Sequence, residues 1–197
     1  MRYNHAHMSR TLSSQSAPSL LETTLAASVR DGQMATPEGQ LVRRLTEGVS
    51  IRPLPTFEDA RGSVTELYDP RWGWHAEELV FAYTLSIRPG VVKGWNLHRT
   101  HEDRYVVIAG VMEVVLFDPR PESSTCGEVC RIVMSGHQRS ILNIPRNVWH
   151  ADHNIGSTDT VVVNFPTIPY DHANPDKYRL PIGTPLIPFS FGSAHGW

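Results

Sequence analysis

Asn96, His98 and Asp103 in one stretch and His150 in another are the side chains through which this chain can move protons or hold a ligand. The first stretch spaces Gly90, Asn96, His98, Asp103 and Gly110; the second spaces Pro145, Asn147, His150 and Asn154. Residues two apart on a strand point the same way, so Asn96 and His98 can face one interior, with His150 joining them from a facing strand. An imidazole near its ordinary pKa titrates in the working range and can serve as a general base. His98, Asp103 and His150 also form a two-His, one-carboxylate set able to hold a divalent ion such as iron, zinc or manganese with open positions. Taken singly, each histidine reads as a satisfied polar residue at a barrel mouth; the matched spacing of the two stretches shifts the weight to a shared interior site. His101, three residues past His98, does not fit the strand face.

The elements that must position these residues are strands. From about residue 50 the chain runs in short stretches of β-branched, aromatic and Leu residues broken by Pro and Gly. Strands are expected over 63–68, 79–87, 91–98, 104–109, 111–117, 130–134, 140–144, 148–153 and 160–165. With no long helix between them, they argue for an all-β sandwich or closed barrel. After Pro166 the chain is interrupted by Pro169, Pro175, Pro181, Pro185 and Pro188, so an irregular C-terminal segment is expected to wrap the barrel. Residues 1–40 are rich in Ser, Thr, Ala and Gln, with a short helical hint near 20–29; residues 1–45 read as a tail or arm preceding the domain over 46–197.

The two spacings resemble the paired signatures of the cupin superfamily, with Asn96 at the first His, Asp103 at the Glu and Asn147 at the usual Gly. Four further pieces fall in order: Asp59-Ala-Arg61-Gly62 with Glu66, Gly90-Val-Val-Lys93-Gly94, Val115-Leu-Phe-Asp118-Pro-Arg120, and Ile144-Pro145 through His150. Over roughly 50–175 they are similar to the dTDP-4-dehydrorhamnose 3,5-epimerases. The resemblance implies a cupin jelly-roll β-barrel, usually a homodimer, working on a nucleotide-sugar without a metal cofactor. It also implies that Arg61 and Lys93 contact the pyrophosphate and that Glu66 lines the nucleotide or sugar site; guanidinium and ammonium groups suit phosphate oxygens.

The chain departs from that family where protons are handled. Asn96 stands at the catalytic His, Asp103 at the enolate-stabilising Lys and Asn164 at the catalytic Tyr, and 180–188 carries no Asp to orient a His. An amide has no useful pKa, so Asn96 and Asn164 can bind substrate but cannot move its protons. Three alternatives follow: an isomerase or epimerase with His98 or His150 as relocated base and Tyr105 or Asp103 as the other proton carrier; a metal-dependent cupin built on His98, Asp103 and His150; or a non-catalytic sugar-nucleotide binding protein.

Bulk properties narrow the partners. With 18 basic and 20 acidic side chains, a net charge of −2 and no basic run, nucleic acid is not an expected partner. No apolar stretch is long enough to span a bilayer, and a cytoplasmic protein is expected. Cys126 and Cys130 lack zinc-knuckle spacing and read as reduced thiols. Tyr68, Trp72, Trp74 and Tyr83 are expected to fill a core. His75, His137, His172 and His195 are expected to be solvated loop residues without partners.

Overall fold

The computed structural model describes residues 17–39 and 42–196. The part of the proposed tail over 1–16 lies outside the described residues. The chain divides into two compact units, 1–43 and 44–197. In the first, α1 (Leu20–Ala27) is started by a capping box in which Ser19 and Glu22 satisfy each other's backbone N–H, and none of its residues is buried. No helix among the described residues is long and apolar enough to cross a membrane.

The second unit is built of strands, antiparallel except for the last: β1 (Ser50–Pro53), β2 (Thr56–Asp59), β3 (Gly62–Thr65), β4 (Tyr83–Ile87), β5 (Val91–Leu97), β6 (Asp103–Ala109), β7 (Val111–Phe117), β8 (Val129–Ser135), β9 (Ser140–Ile144), β10 (Trp149–Asn154), β11 (Thr160–Asn164), β12 (Tyr178–Arg179) and β13 (His195–Gly196). One sheet runs β1-β9-β6-β11-β4 and the other β12-β5-β10-β7-β8, with β13 pairing β5 in parallel. This is the expected jelly roll. Strands β1 and β2 lie outside the expected set, and the strand expected over 79–87 begins only at Tyr83. The Pro-rich C-terminal segment does yield two-residue strands, because β12 and β13 complete the hydrogen bonding of β5 at opposite ends.

Period-two alternation explains the core. On β7, Met112, Val114 and Leu116 point inward and pack with Val107, Ile132 and Leu142, whereas Val115 points outward beneath the C-terminal segment. There Ile187, Phe189 and Phe191 cover Trp95 and Ala151 together with Val115, which is why β7 is largely apolar on both faces and reads as a near-continuous run. Tyr68, Trp72 and Trp74 join a smaller cluster around Phe165, as expected; Tyr83 instead remains 38% exposed.

Candidate functional site

Cross-strand register decides which polar residues meet. On β10, His150, Asp152 and Asn154 stand opposite Leu116, Val114 and Met112 of β7 and so share the barrel's inner face. His150 also stands opposite Asn96 on β5. In the other sheet, Asn164 of β11 lies between Tyr105 of β6 and Tyr83 of β4, which sets Asp103, Tyr105, Asn164 and Tyr83 at the same end of the barrel.

Asp103 is the hub. Its carboxylate accepts a 2.6 Å hydrogen bond from Asn164 Nδ2 and a 3.3 Å bond from the Tyr105 hydroxyl. It also lies 3.3 Å from His98 Nε2, 3.5 Å from His150 Nε2 and 3.8 Å from His101 Nε2. Burial alone would push its pKa up, but the hydrogen bond and charge of His98 and the further donors hold it well below the usual carboxylate range. The same pairing acts on His98: burial opposes its charged form, yet the bond to Asp103 raises its pKa above the ordinary value. His150, fully enclosed and near the charge on His98, is pushed down to about 4.

Beyond the end of β5 the chain turns, and residues 98–101 gather around Asp176 from the C-terminal segment. The Asp176 carboxylate accepts from the backbone N–H of Arg99 and Thr100, from the Thr100 hydroxyl and from His101 Nδ1 at 3.0 Å, and its carbonyl meets His98 Nδ1. His101 therefore stacks on His98 with ring centroids 4.0 Å apart, which overturns the expectation drawn from strand geometry: the strand has already ended, so an i+3 residue returns to the site. An orienting carboxylate also exists after all, at Asp176 rather than within 180–188.

His98, His101, Tyr83, Tyr170, Arg99, Asp176 and Lys177 line a cavity of about 420 Å³. His150 is 1% exposed and lies beneath this cavity rather than on its wall. Tyr105, 3% exposed, spends its hydroxyl between Asp103 and Asp152 and does not line it either. Asn164 is fully buried, with its amide occupied by Asp103, Tyr83 and the Arg104 N–H, so it positions neighbours instead of presenting itself to a ligand. Asn96 keeps a buried Oδ1 without a partner among the described residues.

The residues assigned to phosphate contact are not brought here within the chain. Arg61 sits in the turn of the exposed β2–β3 hairpin, where it pairs with Asp59 instead of lining the cavity, and Glu66 follows β3. Lys93 is exposed on β5, in register with Asp152. His75 is paired rather than solvated, 3.1 Å from Glu102 Oε2.

Sequence reasoning missed His101, Asp152, Asp176 and Lys177. Asp152 was within reach, since it lies two residues beyond His150 on the same strand and so must share its face. Burial, then the nearby charge of Asp103, raises its pKa to about 7, while Tyr105 and the cations Lys177 and Lys93 oppose the rise. Asp176 carries no sequence signal, as its partners lie more than seventy residues upstream.

The family described as polysaccharide biosynthesis C-terminal domain matches this chain over residues 57–178. A probable low-salt glycan biosynthesis epimerase of Haloferax volcanii is 31% identical over 134 residues, covering 68% of this chain and 86% of that protein. A spore coat polysaccharide biosynthesis protein of Bacillus subtilis is 28% identical over 151 residues, covering 76% and 98%. Among solved structures, a dTDP sugar isomerase of Desulfovibrio desulfuricans superimposes with a TM-score of 0.70 at 26% identity, covering 78% of this chain and 98% of that one. The jelly roll, the polar cluster at its mouth and these relatives together place the chain in the polysaccharide biosynthesis C-terminal domain family, as an epimerase-like cupin.

Proposed function

We propose that the protein isomerises or epimerises a nucleotide-linked 4-keto-6-deoxyhexose by proton transfer beside the sugar's carbonyl. The observation that carries this is the cavity wall itself, where the imidazoles of His98 and His101 lie against the carboxylates of Asp103 and Asp176. Carboxylate-backed imidazoles at an open cavity are the equipment that proton abstraction requires. Of the two bases expected from sequence, His98 is favoured over His150 because it lines the cavity. The Desulfovibrio isomerase, described as acting on a dTDP sugar, supports the ligand class. Arg99 and Lys177 stand on this chain's own cavity wall and suit a diphosphate; Arg61 and Glu66 would reach the same ligand only across a homodimer, which we take as the cytoplasmic form.

The test is solvent deuterium exchange into dTDP-4-keto-6-deoxyglucose, followed by NMR. Wild type should exchange, and His98→Ala should lose at least ~100-fold in rate. Tight binding without exchange would make this a sugar-nucleotide binding protein, and no binding would remove the ligand class.

A metal-dependent cupin is the second reading, favoured by one observation: His150 Nε2 is buried without a hydrogen-bond partner among the described residues, and with His98 and Asp103 it offers ligand atoms all within 4.8 Å of one another. Two imidazole nitrogens and a carboxylate oxygen fit iron, zinc or manganese. A bound ion would polarise the sugar's carbonyl, and His98, as a ligand, would then leave the base role to another wall residue. Elemental analysis of wild type and His150→Ala separates the two: near one equivalent in wild type, lost in the variant, supports the metal.

A further inference from the structure

We propose that Tyr83 is a catalytic residue of this site, the hydrogen-bond donor to the carbonyl oxygen of the bound sugar. The inference rests on the keto-sugar reading above and begins with the buried amide of Asn164. Its Oδ1 accepts the Arg104 N–H at 3.0 Å, and its Nδ2 faces the Asp103 carboxylate at 2.6 Å. Turning the amide over would set its oxygen against that carboxylate, so the orientation is forced. The second Nδ2 hydrogen is then directed at the Tyr83 hydroxyl oxygen, 2.9 Å away.

Tyr83 thus receives a hydrogen bond at oxygen, and no described residue accepts its own O–H. Tyr83 lines the cavity and is 38% exposed, which leaves its hydroxyl hydrogen for whatever occupies the cavity. Tyr105, the phenol expected from sequence, is the opposite case: it is buried, and its hydroxyl serves Asp103 and Asp152. Tyr83 stands directly across from Asn164 in the β4–β11 register, which fixes the phenol beside that amide. Burial and the charge of Asp103 keep the phenol protonated, as a donor must be.

In the reaction, the base takes a proton from the carbon next to the carbonyl, the C–H electron pair becomes the new C=C bond, and the carbonyl π pair moves onto oxygen. The Tyr83 O–H donates to that developing oxyanion. When a proton returns to carbon the pair returns with it, and nothing is consumed. A fixed donor aimed at an oxyanion typically contributes a factor of about 10²–10³ in rate.

Tyr83→Phe keeps the ring, which packs on Phe81 with centroids 5.7 Å apart, and removes only the donor. With dTDP-4-keto-6-deoxyglucose, kcat for exchange should fall by about 10²–10³ while KM stays within about threefold. Incorporating 3-fluorotyrosine at position 83, which preserves shape and donor, should recover the rate to within about tenfold. A folded Tyr83→Phe variant with kcat within threefold of wild type would overturn the assignment, as would equal losses in both substituted proteins, the mark of a packing role. If wild type itself binds the sugar-nucleotide without exchange, the proton-transfer reading fails and the role of Tyr83 falls with it; exchange by wild type and by Tyr83→Phe alike removes Tyr83 alone.

Discussion

Asp152 should make this protein lose stability as pH rises toward neutrality, and Asp152→Asn should remove that contribution. The carboxyl is 2% exposed, one of its oxygens has no hydrogen-bond partner among the described residues, and Asp103 lies close enough to repel its charge. Its pKa rises from the ordinary 3.8 to about 7 in the folded chain. Between those values the folded state holds a proton that the unfolded state has released, so stability declines with increasing pH and levels off once both states are ionised. At 1.36 kcal/mol per pH unit the full window is worth up to ~4 kcal/mol, of which ~3 falls between pH 4.5 and 8. Other groups titrate in the same range: His98, with a raised pKa, also loses stabilisation as pH rises, whereas His150, held at about 4, costs stability as pH falls below the ordinary imidazole value. The difference between wild type and variant cancels them. Urea unfolding in EDTA at pH 4.5, 6, 7 and 8 should therefore show Asp152→Asn gaining on wild type by ~3 kcal/mol across the series. Parallel stability curves for the two proteins would refute the burial-and-repulsion account of Asp152.

Asp176→Asn should loosen the turn after β5, since its carboxylate gathers the Arg99 and Thr100 N–H groups and the His101 ring; we expect a loss of ~1.5–3 kcal/mol at pH 7 and faster amide exchange over 99–101, and an unchanged exchange pattern would contradict this. Hydrogen bonds from Thr100 and Arg99 and the charge of His101 outweigh burial and hold the Asp176 pKa below the usual range, so its contribution is present above pH 3.8 and should fade as pH falls below that value. Gly94→Ala would place a Cβ 2.6 Å from Ala151 Cα at a φ of +148°, against the strand that carries His150. It should cost more than ~3 kcal/mol or prevent folding, measured as melting temperature and soluble yield; a variant melting like wild type would show that β5 and β10 can separate freely.

The barrel and half of its site were legible in the order of residues because strands obey local rules. Alternation with period two sets Asn96 with His98 and His150 with Asp152 on common faces, and turn residues mark where each strand stops. Aromatic density near Trp72 and the prolines after Pro166 carry the core and the irregular segment, where the strand rules do not apply. Those rules also mislead at strand ends. Strand geometry argues against His101 only as far as Leu97, where β5 stops, and aromatic density assigns Tyr83 to a core although its register with Asn164 leaves it on the cavity wall.

What the sequence by itself determined was the set of inward-facing side chains and the kinship they signal, since both depend on spacing along one strand. Which of those side chains reach the cavity was decided by the tertiary structure. Asp176 arrives from the C-terminal segment to organise residues 99–101, Asp103 collects donors from strands far apart in sequence, and burial, which exists only once the two sheets have closed, drives the pKa values of His150 and Asp152 in opposite directions. Charges in a closed interior respond to neighbours and lost water through space, and no local pattern of residues encodes that.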